Sequence, residues 1–283
     1  MQLQHIFKQL PLVLGLAVVA ACTPESGRKD LGPLPVASFT ATPLGSNPNK
    51  IVVKSTTPGA FLWSWNYANN LTSRLETDTF SFPKKGEYSI QLTAFTHGGY
   101  ATAAQKVNIA NDMPAVNILP GSDLTQSASS QYWTVLNTGG TQTSINFTAA
   151  GLVFSNTGNS NGAIFQGVKV NPAKDYILSM QVQGSGATNS WFEVYVGTDA
   201  PVQGKDYSGN KFISLNTWAG CGNAPFNGDL AAIGCSGSGT GAGGKLHFTS
   251  NNTVYILIKA GSSGGTLGNG GITVANVKLL EQQ

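Results

Sequence analysis

Charge is scarce in this chain. Only 10% of its 283 residues are Asp, Glu, Lys or Arg, against roughly a quarter in an ordinary globular protein. The formal net charge is +3, and basic residues never run longer than two in a row, which argues against a nucleic-acid footprint. Helical periodicity is missing as well: no apolar i, i+3, i+4 pattern persists beyond two turns, which excludes a helical bundle. Histidine is rare, with three in the chain, and His97 and His247 read as surface or strand residues rather than metal ligands. No Gly-x-Ser-x-Gly elbow and no His-Glu-x-x-His zinc motif occur. Gly239 to Gly244 matches Gly-x-Gly-x-x-Gly, but a strand follows it where a pyrophosphate site needs a helix.

What the chain does have is glycine, 35 of them, among short stretches of Val, Ile, Thr and aromatics. That composition reads as all-β, with strands broken by Gly, Asn and Pro. The first 21 residues differ. Lys8 precedes an apolar run from Leu10 to Ala21, too short to span a membrane and closed by small residues. Residues 1–21 are therefore read as a secretory leader. Val19-Ala20-Ala21-Cys22 resembles the lipobox of bacterial lipoproteins, which implies acylation at Cys22 and a lipid-anchored mature protein; an ordinary cleavage site beside a cysteine is the alternative. With Cys22 assigned to lipid, Cys221 and Cys235 remain as a pair in an oxidising compartment, and a disulfide is expected between them.

Residues 22–35 carry Pro24, Pro33 and Pro35 without periodicity and read as a tether. A first domain is expected over 36–112. Trp63, Trp65 and Tyr67 alternate with Leu62, Ser64 and Asn66, with Phe61 placed in the same alternation. Tyr88, Ile90, Leu92 and Ala94 alternate again, the period of half-buried strands. These residues resemble the PKD domain, an immunoglobulin-like sandwich. Its Tyr-x-Trp-Asp-Phe-Gly-Asp-Gly run corresponds to Trp63, Trp65, Asn66, Tyr67, Ala68, Asn69 and Asn70, and its second aromatic run to Phe80, Phe82, Gly86, Tyr88 and Ile90. Asn and Ala replace the acidic and glycine positions, so the turn is altered. The resemblance implies a spacer, with Trp63 and Trp65 as core.

The second domain, 113–283, reads as ten strands between Tyr132 and Leu280 without a helix, most simply a larger β-jelly-roll sandwich. Along Trp191–Gly197, Phe192, Val194 and Val196 face one way, while Trp191, Glu193 and Tyr195 face the other. In the preceding strand, Tyr176, Leu178, Met180 and Val182 are apolar, and Gln181 and Gln183 line the opposite side. Aromatic rings among amides and a carboxylate suit a neutral, hydroxyl-rich ligand: a ring receives the C–H face of a sugar while polar groups bond its hydroxyls. Trp191, Glu193, Tyr195, Gln181 and Gln183 are thus the candidate face. Trp218 and Tyr207, with Asp206 nearby, would extend it from loops. The competing reading is that Trp191 and Tyr195 pack against a neighbouring loop or the first domain. Trp133 is read as core.

Val170-Asn171-Pro172, Tyr176 to Ser179, Val194 to Gly197, Tyr255 to Gly261 and Gly271 to Leu279 resemble jelly-roll carbohydrate-binding modules of the kind that recognise β-glucans and xylans. Such modules often hold a structural calcium with an acidic residue in the last strand. Here Asn276 stands in that place, with Asp123 the one candidate near it, so no cofactor is assigned. Leader, tether, PKD-like spacer and terminal sandwich together resemble the surface glycan-binding lipoproteins of Bacteroidetes-type polysaccharide utilisation systems. That resemblance implies an outer-membrane, surface-exposed location, a polysaccharide ligand such as the β-glucan laminarin, and a sugar transporter as partner. A glycosidase needs two carboxylates across the scissile bond. Of the seven acids in this domain only Glu193 falls on the candidate face, so no enzyme activity is expected. The alternatives are a structural or adhesive lipoprotein that binds a protein, distinguished by an exposed apolar patch, and after it a jelly-roll glycosidase or lyase.

Overall fold

The structure, a computed structural model, describes residues 32–68, 70–250 and 252–283. The expected leader 1–21, the acylated Cys22 and tether residues 23–31 lie outside the described residues. No helix among the described residues is long and apolar enough to cross a membrane. The chain divides into two compact units.

The first sandwich is built from β1 (Phe39–Leu44), β2 (Asn47–Ser55), β3 (Leu62–Tyr67), β4 (Leu71–Ser73), β5 (Thr77–Ser81), β6 (Gly86–Thr96) and β7 (Gly99–Ile109). They form two sheets, ordered β1-β2-β5 and β4-β3-β6-β7. The alternation in β3 has the expected consequence: Trp65 is fully buried, whereas Leu62, Ser64 and Asn66 are exposed. Phe61 departs from the expected alternation, standing before the strand, 56% exposed, with its ring 5.2 Å from that of His97. Trp65 meets Phe80 edge-on at 5.8 Å, and its indole N–H donates to the Leu75 carbonyl at 2.7 Å. A buried indole needs such a partner, because an unmade bond there costs roughly 1–3 kcal/mol. In the altered turn after β3, Ala68 (φ +27°) and Asn70 (φ +67°) take up positive φ, which Asn tolerates far better than Ala.

The second sandwich continues with β8 (Val116–Asn117), α1 (Gln126–Ser130), β9 (Thr134–Leu136), β10 (Ser144–Thr148), β11 (Gly151–Ser155), β12 (Ser160–Lys169), β13 (Asp175–Gly184) and β14 (Thr188–Gly197). It closes with β15 (Lys211–Asn216), β16 (Phe226–Asp229), α2 (Leu230–Ile233), β17 (Lys245–His247), β18 (Thr253–Thr266) and β19 (Ile272–Glu281). The front sheet is ordered β15-β14-β18-β12-β9, and the back sheet β10-β11-β19-β13-β16, with β17 also on β13 and β8 on β19. All ten expected strands are present. Short β8, β16, α1 and α2 are additional, each too brief to leave a periodic signal. The core lies between the sheets: Leu178, Met180 and Val182 from the back meet Phe192, Val194, Ile256 and Ile258 from the front. Phe192 is fully buried, and truncating such a residue to Ala costs about 3–5 kcal/mol. Trp133 joins this core at 5% exposure and donates its indole N–H to the Gly121 carbonyl.

Candidate functional site

Strand register places four residues in one row across the outer face of the front sheet: Asn216 on β15, Trp191 on β14, Gly261 on β18 and Asn161 on β12. The Trp191 ring lies over Gly261, where an added Cβ would stand 2.6 Å from Cζ2 of the indole and 2.2 Å from the Ser160 carbonyl. Glycine inside a strand marks such a close approach. Beside Trp191 is Trp218, its ring centroid 6.2 Å away and the planes 26° apart. Trp218 belongs to a single 3-10 turn, Thr217–Ala219, whose N-terminus is capped by the Asn216 side chain accepting from the Trp218 and Ala219 amides. The turn leads into Cys221, which forms the expected disulfide with Cys235. These constraints hold Trp218 in place while leaving it 58% exposed. Two polar atoms in the row, Trp191 Nε1 and Asn161 Oδ1, are buried without a hydrogen-bond partner.

The neighbouring rows of the same face are covered. Glu193 pairs across to Lys259, and Tyr195 to Leu257. Tyr195, Tyr207, Leu257, Ala163 and Leu136 form a separate apolar cluster outside the main core. The loop 198–210 passes over it as a strap. Its Gln203 exchanges hydrogen bonds with the Asn137 amide and the Val135 carbonyl beside β9, and its Asp206 accepts from Asn161 Nδ2 at 2.9 Å. Tyr207 sets its ring edge-on to Tyr195 at 5.6 Å.

Lys259, 5% exposed, ties strap to sheet. Its Nζ donates to the Tyr207 carbonyl at 2.9 Å and lies 3.4 Å from Glu193 Oε2 and 3.3 Å from Asp206 Oδ1. It also sits 4.8 Å from the centre of the Tyr195 ring, a cation–π contact. Lys211 reaches Glu193 Oε1 at 3.3 Å, and the Tyr195 hydroxyl donates to Glu193 Oε2 at 2.6 Å. Burial first, then that hydrogen bond and the adjacent carboxylate, push the Tyr195 phenol well above its ordinary value.

Several sequence expectations are corrected by this arrangement. Tyr195 and Tyr207 are packing residues beneath and within the strap, and Glu193 is consumed by two lysines and a hydroxyl. Trp191 and Trp218 do come together. Gln181 and Gln183 are exposed on β13 in the back sheet, so they do not share a face with Trp191: the chain changes sheets between β13 and β14. Asp206 approaches Glu193 through Lys259, so Glu193 is not the only acid on the face. Both carboxylates lie within ion-pair distance of that ammonium group.

Asn276 and Asp123 also meet: the Asn276 amide donates to the Asp123 carbonyl at 3.4 Å. The Asp123 carboxylate accepts from Ser129 and Thr125 hydroxyls, which hold its pKa below the ordinary range. No group of three or more His, Cys, Asp or Glu at metal-ligand distance occurs among the described residues. Sequence reading missed Asn161, Asn216 and Gly261. Gly261 carried a signal, a glycine in a run of β-formers. The two asparagines become visible only once register is known.

No protein-family model matches the chain, and no curated protein matches it. Among solved structures, the PKD1 domain of the Vibrio cholerae metalloprotease PrtV is 27% identical, with 27% of this chain and 98% of that one covered, at a TM-score of 0.25. A carbohydrate-binding module of the β-sandwich superfamily is 14% identical over 87% of this chain and 98% of its own, TM-score 0.31. A SusE-like protein is 12% identical over 87% and 96%, TM-score 0.23.

Proposed function

We propose that this protein is a non-catalytic glycan-binding lipoprotein, anchored at the outer-membrane surface through Cys22, that captures an uncharged polysaccharide of the β-glucan class for a sugar transporter. The observation that carries the reading is the Trp191–Trp218 pair: two near-parallel indoles, one largely exposed, on an otherwise polar row. Exposed indole on a folded surface is costly to leave wet and is the ring a pyranose C–H face stacks on. Asn216 is already spent on capping the Trp218 turn, whereas the side-chain Oδ1 of Asn161 and the Trp191 indole N–H have no hydrogen-bond partner among the described residues. The first sandwich acts as the spacer between anchor and site.

Absence of lysine or arginine from the row favours an uncharged ligand over an acidic one, since the lysines nearby are already paired. The test is affinity electrophoresis of the full chain, in detergent, through gels containing laminarin, mixed-linkage glucan, xylan, mannan, alginate or pectin. Retardation by laminarin or mixed-linkage glucan without loss of polysaccharide is the expected result. Retardation only by alginate or pectin would overturn the uncharged-ligand assignment, degradation of the polymer would overturn non-catalytic capture, and free migration throughout would overturn glycan binding.

A further inference from the structure

Away from the tryptophan pair, the loops at one end of the second sandwich border two adjoining hollows open to solvent, about 500 Å³ and about 610 Å³. Both are in the size range of small-molecule sites. They share Asn269, Gly270 and Gly271 of the β18–β19 turn as a common wall. The first is lined by Ser160, the residue before Asn161 on β12, and by none of the four residues of the tryptophan row. The second opens on the back sheet, where register aligns Asn227 on β16, Gln183 on β13 and Thr273 on β19 across three strands.

The chemistry of the lining is uniform. No acidic or basic side chain contributes to either hollow; hydroxyls, amides and bare backbone do. The polar residues of the first hollow are largely spent on the loops themselves. Asn156, for example, donates to Gly158, Ser160 and Ser262 and accepts from the Leu267 amide. The second hollow is different: Gln183, Asn227 and Asn269 are exposed, and among the described residues no hydrogen bond engages their side-chain amides. Next to them Phe226, half-buried, lays its ring against Gly184, where an added Cβ would come within 2.5 Å of Cζ. An aromatic edge beside three free amides repeats, in different residues, the logic of the tryptophan row.

The glycines of the wall divide by purpose. Gly268 (φ +89°) and Gly271 (φ +79°) allow close packing, for a Cβ would meet the Gly186 carbonyl at 2.3 Å and the Phe154 carbonyl at 2.2 Å. Gly270 (φ +78°) has nothing within 4 Å of where its Cβ would be. At that position the wall is naked backbone bordering both hollows: the Asn269 carbonyl accepts from the Ser185 hydroxyl and the Gly271 N–H donates to the Gly268 carbonyl, which leaves the N–H and carbonyl of Gly270 itself to face a ligand.

We infer that this groove is a second glycan subsite, holding an uncharged, hydroxyl-rich stretch through Gln183, Asn227, Asn269 and the Gly270 backbone, with Phe226 as its apolar contact. The inference rests on the glycan reading above and adds to it: the protein grips a polysaccharide at two places on one sandwich. A long chain then binds more tightly than a short one by effective concentration.

The test is isotope-labelled full chain titrated with laminarihexaose, cellohexaose and xylohexaose, following the side-chain amide signals of Gln183, Asn227 and Asn269 and the indole signals of Trp191 and Trp218. With at least one of these sugars, saturable shifts are expected in both sets. Gly270→Asn, a substitution that positive φ tolerates, should weaken the groove shifts about tenfold and leave the indole shifts unchanged; Gln183→Ala should weaken them at least threefold. Shifts confined to the indoles would overturn the groove and leave the glycan reading standing. Silence in both sets would overturn both, and groove shifts indifferent to both substitutions would place the ligand elsewhere.

Discussion

Two halves of one sheet face have opposite fates in this protein. Trp191 and Tyr195 lie four residues apart on β14, point the same way, and are indistinguishable by alternation. Around Tyr195 the strap 198–210 lies across the sheet, and Lys259 fastens it through Glu193, Asp206 and the Tyr207 carbonyl. The strap reaches the Trp191 row only at its far end, where Asp206 accepts from Asn161, and beside Trp191 the loop after β15 instead adds a second indole. The lesson is that a polar–aromatic face is only a candidate until its loops are placed. The covered half is tied down by the strap, and the open half is the one to which binding is proposed here.

The sharpest way to break this division is to release the strap. Lys259→Ala leaves Glu193 with only Lys211 and the Tyr195 hydroxyl, and Asp206, half exposed, without its cation, a loss of charge-assisted bonds that costs about 2 kcal/mol. Urea unfolding of the second sandwich should show that loss; a loss under about 1 kcal/mol would mean that the strap is held by its apolar contacts alone. Removing the disulfide with Cys221→Ser and Cys235→Ser bears on the open half. It closes a sequence separation of 14, for which chain-entropy arithmetic gives roughly 3 kcal/mol. Thermal unfolding should report that loss, and glycan affinity should fall with it because the Trp218 turn leads directly into Cys221.

A smaller change should separate the halves by function. Trp218→Ala, at an exposed position, should alter stability by less than about 0.5 kcal/mol while lowering laminarin affinity about thirtyfold, equivalent to about 2 kcal/mol. Calorimetric titration beside thermal unfolding measures both. Tyr195→Phe should do the reverse, costing about 1 kcal/mol through the lost bond to Glu193 with affinity unchanged. It should also alter the alkaline limb of stability. The Tyr195 phenol is raised by burial and then by Glu193, so the folded state keeps a proton that the unfolded chain gives up near its ordinary value. Stability from this group is whole below about pH 10 and falls as pH rises above it. Tyr207, raised by burial and then by Asp199, adds a slope of the same sign. Unfolding measured from pH 9 to 11 should therefore fall less steeply in Tyr195→Phe than in the unaltered protein.

Much of the architecture was legible before the structure because it rests on period-2 patterning. Trp65, Ile90 and Leu92 in the first sandwich, and Leu178, Phe192 and Val194 in the second, are buried as their alternation implies. The Cys221–Cys235 pair followed from compartment and parity. The candidate site was legible only in fragments. Alternation says that Gln183 and Trp191 each avoid the core, but not that β13 and β14 belong to different sheets, because sheet membership depends on pairings with β18 and β19 some 70 to 90 residues away. Loop 198–210 has no periodicity, so nothing in Asp206 or Tyr207 announces a strap. Gln183 found a different role for the same reason: its neighbours are Asn227 and Thr273, far along the chain.

The measurement that tests the division most directly is parallel electrophoresis of the unaltered protein, Trp218→Ala and Tyr195→Phe through a laminarin gel and a sugar-free gel. The account predicts equal retardation of the unaltered protein and Tyr195→Phe, with Trp218→Ala much less retarded. Full retardation of Trp218→Ala, or its loss in a folded Tyr195→Phe, would contradict the assignment of binding to the open half.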